Sequence, residues 1–364
     1  DVTRATAATR VDEAGLVNYA EVLGSELAIC GDFECASPLT GWTDNAPIGE
    51  ISIDSGRLKV LNLTNRGRSY RTYTGLTIGK TYEAFVGNTS GDVTGFCHIT
   101  SGTANNNITL NAPFFFVAGA TTAEFQCGVN STVVNRFTFF DNISLKQNDR
   151  DNVPRIDYTG GGCPHILAEP QRTNLYPYSN DTSTWGKSNF TATNNYAISP
   201  DGTQNAFRGV STSNASLLYI GSTGSAGTNT ISIYAKSNTA SDQKFRFFGN
   251  GNTTQSSDQT VTQEWQRFEY TETFSFVTWG LAGASVSGTN DILFYGMQHE
   301  IGSYATSYIP TSGSTVTRNQ DIFTRDGIGS LINSTEGVLF VEFKTLTETG
   351  VFRQFNLSKD NSNR

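Results

Sequence analysis

The side chains best suited to proton transfer are scarce in this sequence. Histidine is the commonest general base in enzymes, yet the chain of 364 residues contains only three, His98, His165 and His299. They are widely separated, and Cys163 precedes His165 by a spacing too short to predict a nucleophile paired with a base. The sequence therefore predicts neither a Ser–His–Asp nor a Cys–His catalytic site.

Paired carboxylates are the second candidate for catalysis, because two facing acids can hydrolyse a glycosidic bond when they lie roughly 5 to 9.5 Å apart. The acids that could contribute are Glu34, Glu50, Asp54, Glu83, Glu124 and Asp141. Their spacing selects no pair, since acids in such strands mostly occupy solvated faces and turns. We therefore expect no enzymatic activity.

Tyrosines next to arginines form the most promising binding motif. The motif consists of Arg68, Tyr70, Arg71, Tyr73 and Tyr82. An exposed tyrosine offers an apolar ring together with a hydroxyl, so we predict that these residues bind an acidic or neutral glycan. We expect Phe96 on the same concave sheet as Tyr82. The alternative interpretation is that these aromatic rings fill the core between two sheets.

Short strands, rather than helices, must position these side chains. Hydrophobic residues make up 37% of the chain and aromatic residues 12%, which is typical of many strands joined by polar turns. Several runs alternate between apolar and polar residues with a period of two. These runs are residues 50–54, 56–60, 230–235, 244–248 and 265–270. No convincing period of 3.6 occurs, so we predict an all-β protein with few, short helices.

Two stretches of the chain read alike and predict tandem jelly-roll β-sandwiches. The first, residues 19–148, contains an early Trp42, and the second, residues 171–301, contains an early Trp185. Each stretch has about the size of one jelly-roll sandwich. We expect each tryptophan to fill the centre of its own core.

Charge and hydropathy exclude two classes of partner. The formal net charge is −8 and the basic residues form no stripe, so we expect no nucleic-acid partner. No run of about 20 apolar residues occurs, so we expect no insertion into a membrane.

The cysteines form an odd and sparse set, which argues against a disulfide framework. They are Cys30, Cys35, Cys97, Cys127 and Cys163. Cys30 and Cys35 are close enough in sequence to pair, but assembly in a reducing cytosol would keep them as thiols. We therefore expect five free thiols.

The first module resembles the carbohydrate-binding-module jelly rolls of the xylan- and glucan-binding type. The resemblance rests on the motifs GDFE at 31–34, GW at 41–42 and FFDNISL at 139–145. Modules of this kind often hold a structural calcium ion between acids of their first and last strands. The resemblance therefore implies Glu34 and Asp141 as calcium ligands, with Asp32 nearby. The alternative is that Asp141 belongs to a turn and Glu34 to a solvated edge.

The remainder of the chain resembles phage tail and fibre proteins. The matching motifs are EPQRTNL at 169–175, YGMQHE at 295–300 and GSYATSYIPTSGSTVTR at 302–318. In that family the motif that matches residues 4–17 is followed almost directly by the motif that matches residues 152–175. In this chain residues 18–151 separate the two motifs. The resemblance thus implies that the first jelly roll is inserted at the tip of a β-hairpin connector. The motif EGVLFVEF at 336–343 resembles the first strand of a concanavalin-A-like lectin domain.

These resemblances divide the chain into five segments. They are a connector of residues 1–18 and 149–170, an inserted jelly roll of residues 19–148, a second jelly roll of residues 171–301, a return segment or linker of residues 302–330, and the incomplete start of a concanavalin-A-like domain at residues 331–364. We expect the two parts of the connector to pair as one antiparallel unit. The incomplete last segment indicates that the chain is part of a longer polypeptide.

The resemblance implies a structural protein of a bacteriophage virion, in a tail, baseplate or head appendage on the outside of the particle. Its expected partners are other virion proteins and host-surface glycans, and the favoured oligomer is a homotrimer. Two other functions stay open. A catalytic domain beyond residue 364 would favour an accessory carbohydrate-binding region of a secreted polysaccharide-degrading enzyme, and a signal peptide or anchor before residue 1 would favour a bacterial surface adhesin.

Overall fold

The computed structural model describes residues 1–161, 163–220, 227–249, 254–274 and 278–325. These residues form β-strands joined by turns, with one 3₁₀ turn at Thr182–Thr184. The prediction of an all-β, jelly-roll sandwich fold is confirmed. In the same residues no helix has the length and hydropathy needed to cross a membrane. The predicted concanavalin-A-like start at residues 331–364 lies outside the described residues.

The described part of the chain contains thirty strands. The N-terminal segment holds β1 (Val2–Thr3), β2 (Thr9–Val11) and β3 (Val17–Tyr19). The next stretch holds β4 (Val22–Leu23), β5 (Thr43–Asp44), β6 (Gly49–Asp54), β7 (Arg57–Asn62), β8 (Arg68–Thr74), β9 (Thr81–Ser90), β10 (Gly95–Ser101), β11 (Ala104–Asn107), β12 (Phe114–Val117), β13 (Thr122–Val129) and β14 (Phe137–Asp149).

The rest of the described chain contains the remaining sixteen strands. They are β15 (Ile156–Asp157), β16 (His165–Ile166), β17 (Arg172–Asn174), β18 (Gly186–Ser188), β19 (Phe190–Ala197), β20 (Ala206–Ser211), β21 (Leu217–Ile220), β22 (Gly227–Ser237), β23 (Gln243–Gly249), β24 (Thr254–Gln255), β25 (Gln259–Val261), β26 (Gln266–Phe274), β27 (Trp279–Gly283), β28 (Asn290–Ile301), β29 (Val316–Arg318) and β30 (Ile322–Phe323).

These strands fall into two compact units. One unit consists of residues 21–150, and we call it the inserted unit. The other combines residues 1–20 with the chain that follows residue 150, and we call it the host unit. The insertion predicted from the sequence was residues 19–148.

The inserted unit begins and ends in one antiparallel strand pair. β4 pairs with the end of β14, so that Val22 stands opposite Asp149. Next to this pair, Nε of Arg150 lies 2.9 Å from Oε2 of Glu21. The chain therefore enters and leaves the unit at neighbouring points, where a long insertion adds little to the loop-closure entropy.

Two antiparallel sheets enclose the core of the inserted unit. One has the strand order β11-β10-β13-β8-β5, and we call it the five-stranded sheet; the other has the order β12-β9-β14-β7-β6. In β7, Leu58 and Val60 are fully buried, while Lys59 between them is only half-buried. This alternation follows from the strand period of two. Trp42 lies in the core, with its ring centroid 5.9 Å from that of Phe33.

Two further antiparallel sheets form the host unit. Their strand orders are β18-β21-β27-β23-β24 and β19-β20-β28-β22-β26. Trp185 is 4% exposed, stacks on Tyr176 with centroids 6.0 Å apart, and meets Phe207 edge-on at 5.6 Å. Strand β28 is buried along most of its length, which places its residues at the centre of this sandwich.

The connector does not form the single antiparallel unit predicted for residues 1–18 and 149–170. In the described residues β2 pairs with β3, β15 with β16, and β1 with β30. Separate hydrogen bonds join the two parts instead, such as those from Asn152 N to Arg4 O and from Arg4 N to Asn152 Oδ1, both 2.8 Å. β2 and β15 each pair with the next strand along the chain, because closing a short loop has the smaller entropy cost, whereas β1 pairs with the distant β30.

A buried set of ion pairs, which we call the ionic network, fastens the return segment to the rest of the host unit. Its members are Arg4, Arg155, Glu169, Arg318 and Asp321. Arg155 and Arg318 each lie 2.7 Å from Oε2 of Glu169. Burial alone would raise the pKa of Glu169, but the two guanidinium groups and the Ser307 hydroxyl outweigh it and hold that pKa below its ordinary value.

The prediction of five free thiols is wrong. Cys30 forms a disulfide with Cys35, and Cys97 forms one with Cys127, whereas Cys163 is free and exposed. Cys97 and Cys127 are opposite residues of the adjacent strands β10 and β13. Their pairing is a consequence of strand register, which cysteine spacing alone does not reveal.

Candidate binding face

Strand β8 divides the predicted glycan-binding residues between the two sides of the five-stranded sheet. Tyr73 is 4% exposed and meets Phe125 edge-on, with ring centroids 5.2 Å apart. Arg71 lies on the same inner side, where its guanidinium is 4.9 Å from the Tyr73 ring and donates to the carbonyl of Ile29 over 3.1 Å. Burial raises the pKa of Tyr73 to about 12, which keeps its hydroxyl neutral within the core.

Tyr82 also belongs to the core rather than to a ligand platform. It is 1% exposed on β9, and its hydroxyl accepts a hydrogen bond of 2.8 Å from Thr77 N. The same hydroxyl donates to Oε1 of Gln147 over 3.2 Å. A ligand role for Tyr73 and Tyr82 is therefore wrong, because buried rings cannot stack on a ligand; the alternative interpretation holds for both.

Tyr70 points to the outer side of the five-stranded sheet. It stands opposite Gln126 of β13, and Gln126 stands opposite His98 of β10. All three side chains are half-buried. Neighbouring strands lie about 4.8 Å apart, so these residues form one row across the sheet. Thr43 of β5 and Asn107 of β11 continue the row to the two edges.

A second row holds Arg68, Gly128 and Phe96 on the same side. A Cβ atom on Gly128 would lie 2.6 Å from the Phe96 ring, so only glycine lets this ring lie across β13. The Arg68 guanidinium is 5.7 Å from the ring centroid of Phe96. The same ring meets His98 edge-on, with centroids 5.2 Å apart.

A third row adds a carboxylate between two hydroxyl groups. Glu124 stands opposite Thr72 on one side and Thr100 on the other. We call the three rows together the binding face. Its members are Arg68, Tyr70, Thr72, Phe96, His98, Thr100, Glu124 and Gln126. The face thus offers two aromatic rings surrounded by donors and acceptors, with a cation in one outer row and an anion in the other.

Sequence reasoning brought only part of this face together. Arg68 and Tyr70 were predicted. The prediction that Phe96 and Tyr82 share a sheet is wrong, because Phe96 lies on the five-stranded sheet and Tyr82 lies on β9 of the other sheet. His98 and Gln126 were missed as ligand residues. The alternation within β10 and β13 marks both as outward residues, but only the register places them beside Tyr70.

The predicted calcium ligands do not assemble into a site. Asp32 and Glu34 are exposed, and Oδ1 of Asp141 accepts a hydrogen bond of 2.7 Å from Asn142 N. Across the described residues, no three His, Cys, Asp or Glu side chains gather as they would around a metal ion. Calcium requires about six to eight oxygen ligands, and these acids do not fit that requirement.

Backbone contact, rather than acids, closes this end of the inserted unit. Ile143 N donates to Gly31 O over 2.9 Å. A Cβ atom on Gly31 would lie 1.7 Å from the carbonyl oxygen of Ile143, so the two segments touch where a side chain has no room. The first and last segments of the unit are joined here directly.

Comparisons with known proteins give remote structural likeness. No protein-family model and no curated protein matches the chain. The chain is similar to the N-terminal CBM22-1–CBM22-2 tandem domain of Xyn10C from Paenibacillus barcinonensis, at 11% identity over 82% of this chain and 97% of that one, with a TM-score of 0.25. The CBM22-1 xylan-binding domain of the same protein matches at 16% identity over 36% of this chain and 94% of that one, with a TM-score of 0.27.

A third similar structure is the M60 catalytic domain with the CBM51-1 and CBM51-2 domains of ZmpB from Clostridium perfringens. It matches at 9% identity over 88% of this chain and 43% of that one, with a TM-score of 0.22. Identities this low leave the ligand of the present chain to be argued from its own residues.

Proposed function

We propose that the inserted unit binds a glycan on its binding face. The observation that carries the proposal is the row of Tyr70, Gln126 and His98 with the Phe96 ring beside it. Aromatic rings pack against the apolar C–H faces of a sugar, while polar side chains bond its hydroxyl groups. Both kinds of group stand within two strand spacings of each other on this face.

The shape of the face favours an extended polysaccharide over a single terminal sugar. The rows run across strands β8, β13 and β10, on the open side of a sheet. A linear glycan lying along the row of Tyr70, Gln126 and His98 would meet a new side chain at each strand, roughly every 4.8 Å. Arg68 adds a charge that can pair with a carboxylate on an acidic polymer.

For the whole chain we propose a non-enzymatic role as a structural protein of a bacteriophage virion, in an external appendage that meets other virion proteins and host-surface glycans, as a homotrimer. Support comes from the tail- and fibre-like motif of residues 302–318. The two disulfides need an environment outside a reducing cytosol, which a secreted accessory module meets directly and an external virion protein meets after release from the cell. An accessory module of a polysaccharide-degrading enzyme would use the binding face in the same way. Immunogold electron microscopy of intact particles would distinguish the two settings.

The binding proposal is tested on a glycan array with the full chain. We expect a Tyr70→Ala/Phe96→Ala double variant to lose binding by about 5- to 150-fold, because each aromatic contact contributes about 0.5–1.5 kcal/mol. Phe115→Ala is the matched control, since Phe115 is 41% exposed on β12 of the opposite sheet. Equal binding by all three proteins would contradict the proposal.

The charge of the ligand is tested with Arg68→Gln. If the glycan is acidic, this variant weakens binding and wild-type affinity falls with salt. If the glycan is neutral, the variant binds about as well as the wild type, and salt has little effect. The two results separate the two ligand classes while both aromatic rings stay in place.

A further inference from the structure

A polar groove opens on the surface of the host unit, and none of its lining residues belongs to the binding face. It is lined by residues from 178–183, 194–195 and 311–312, and its volume is about 480 Å³. Small-molecule sites commonly measure roughly 300–1,000 Å³, so the groove is large enough for one or two sugar rings. Its walls are the connecting segments at 178–183 and 311–312 together with part of strand β19.

One wall is held by the side chain of Asn194. Its Oδ1 accepts hydrogen bonds from N and Oγ1 of Thr182, at 3.0 and 2.7 Å. Its Nδ2 donates to Oδ1 of Asp181 over 2.6 Å. These contacts orient the Asp181 carboxylate before any ligand arrives, which lowers the entropy cost of binding.

The part of the groove around Tyr178 and Ser312 is held by a backbone bridge and a side-chain hydrogen bond. Tyr178 and Ser312 form an antiparallel β-bridge. Next to it, the Thr311 hydroxyl donates to the carbonyl of Tyr176 over 2.6 Å, and Tyr176 belongs to the buried core. The aromatic ring of Tyr178 is therefore mounted on a rigid part of the fold.

Several polar groups along the groove have no hydrogen-bonding partner among the described residues. They are the hydroxyls of Tyr178 and Ser312, Oδ2 of Asp181 and the side-chain amide of Asn195. Asn195 has a positive φ of 51°, a conformation that Asn and Gly adopt more readily than other residues. Hydrogen bonds from Ser183 lower the pKa of Asp181, so its free oxygen is a charged acceptor at neutral pH.

The composition of the groove selects the class of ligand. Its lining residues include no arginine or lysine and one carboxylate, which disfavours anions such as phosphates and acidic sugars. Hydroxyl and amide groups predominate and Tyr178 is the aromatic surface, which disfavours purely apolar ligands. We propose that the groove is a second, separate site that binds a neutral mono- or disaccharide, with Asp181 accepting hydrogen bonds from sugar hydroxyls and Tyr178 packing on the ring.

The test uses the full chain carrying Tyr70→Ala/Phe96→Ala, so that the binding face cannot contribute. Saturation-transfer NMR and calorimetry are run with maltose, cellobiose, lactose and N-acetylglucosamine, and with N-acetylneuraminic acid as an anionic probe. We expect at least one neutral sugar to bind. Asp181→Asn should weaken that binding by about tenfold or more, since a charged acceptor is lost, and Asn195→Gly should weaken it several-fold while keeping the backbone conformation.

Asp242→Asn is the control, because Asp242 is an exposed acid of the same unit outside the groove. The Asp242→Asn variant should bind the neutral sugar with the same affinity as the parent chain. Binding of none of the neutral sugars would overturn the groove proposal and leave the binding face untouched. Binding that Asp181→Asn and Asn195→Gly do not weaken, or binding of N-acetylneuraminic acid alone, would overturn it as well.

Discussion

Arg155 donates to Glu169 over 2.7 Å in the interior of the host unit, where the two side chains are 0% and 3% exposed. Arg318, from the return segment, reaches the same carboxylate oxygen over 2.7 Å. One carboxylate thus holds together two parts of the chain that are about 150 residues apart. Buried charges of this kind depend on every partner, because a charge left alone in the interior is strongly disfavoured.

We predict that Glu169→Gln lowers the free energy of unfolding by about 3–5 kcal/mol, since it leaves buried guanidinium charge uncompensated. The control is Asp92→Asn, which breaks an exposed pair of 4.0 Å with Arg136, at side-chain exposures of 33% for Asp92 and 49% for Arg136. That change should cost about 0–1 kcal/mol. Calorimetry of the two variants checks both values, and equal losses would contradict a special role for the ionic network.

His299 is predicted to make the host unit sensitive to mild acid. The ring is fully buried between Tyr176 and Trp279, with centroids 5.7 and 5.0 Å away, and Nε2 lies 3.0 Å from Oδ1 of Asn229. Burial lowers the pKa of His299 from 6.5 to about 3. Below pH 6.5 the unfolded chain therefore binds a proton that the folded chain does not, and stability falls as pH falls.

The expected slope is about 1.4 kcal/mol per pH unit once the pH is well below 6.5. Urea unfolding at pH 7.5, 6.0 and 5.0 measures this slope. All three pH values lie above the ordinary pKa values of Glu169 and Asp321, which are 4.5 and 3.8, so these two acids contribute little to it. In His299→Gln this part of the pH dependence should disappear. His98→Gln, on the binding face, should keep it. An unchanged slope in the His299 variant would refute the assignment.

Thiol labelling should find one reactive cysteine. In denaturant without reductant, an alkylating reagent is expected to modify Cys163 alone, and after reduction it should modify all five cysteines. Mass spectrometry of the intact chain reads the difference directly. The Cys97→Ala/Cys127→Ala double variant should be less stable by about 2–4 kcal/mol. Labelling of Cys97 and Cys127 without reduction would contradict the cross-strand disulfide.

Gly31→Ala should destabilise the inserted unit, because the added methyl group would overlap the Ile143 carbonyl. Overpacking commonly costs about 1–3 kcal/mol, and backbone that cannot move pushes the value upward. Gly288→Ala is the control, since no atom lies within 4 Å of the added Cβ. Thermal melts of both variants give the comparison.

Thermal melts of the wild type with calcium and with a chelator should give the same melting temperature. A large rise of the melting temperature with calcium would support the prediction that Asp32, Glu34 and Asp141 are calcium ligands.

Local alternation could be predicted from the sequence, and strand register could not. The runs at residues 56–60 and 230–235 are strands, as predicted, because a period of two is set by neighbouring residues. The same alternation, applied to β8, would have separated Tyr70 from Tyr73 and so removed a false ligand. Nothing local, in contrast, places Gln126 and His98 beside Tyr70.

The cysteines and the connector likewise depend on strand register, which the sequence does not reveal. Cys97 and Cys127 meet because β10 and β13 are neighbours in one register, and that register results from packing of the whole sandwich. The two parts of the connector were predicted to pair as one antiparallel unit, because their motifs follow each other almost directly in the family that they resemble. Its two parts are joined by separate hydrogen bonds such as that from Asn152 N to Arg4 O, and Asp321 of the return segment bridges them by accepting from the Arg4 guanidinium and from Glu169 N.

The pairing of Val22 with Asp149 bears on how such a chain can change over time. Both ends of residues 21–150 meet at a single point, so any domain whose own termini lie side by side satisfies the same geometric condition. Recombination at this point can exchange one inserted domain for another while the host unit keeps its own sheets and its arginine–carboxylate contacts. The face carried by the insertion and the groove carried by the host unit are then inherited independently.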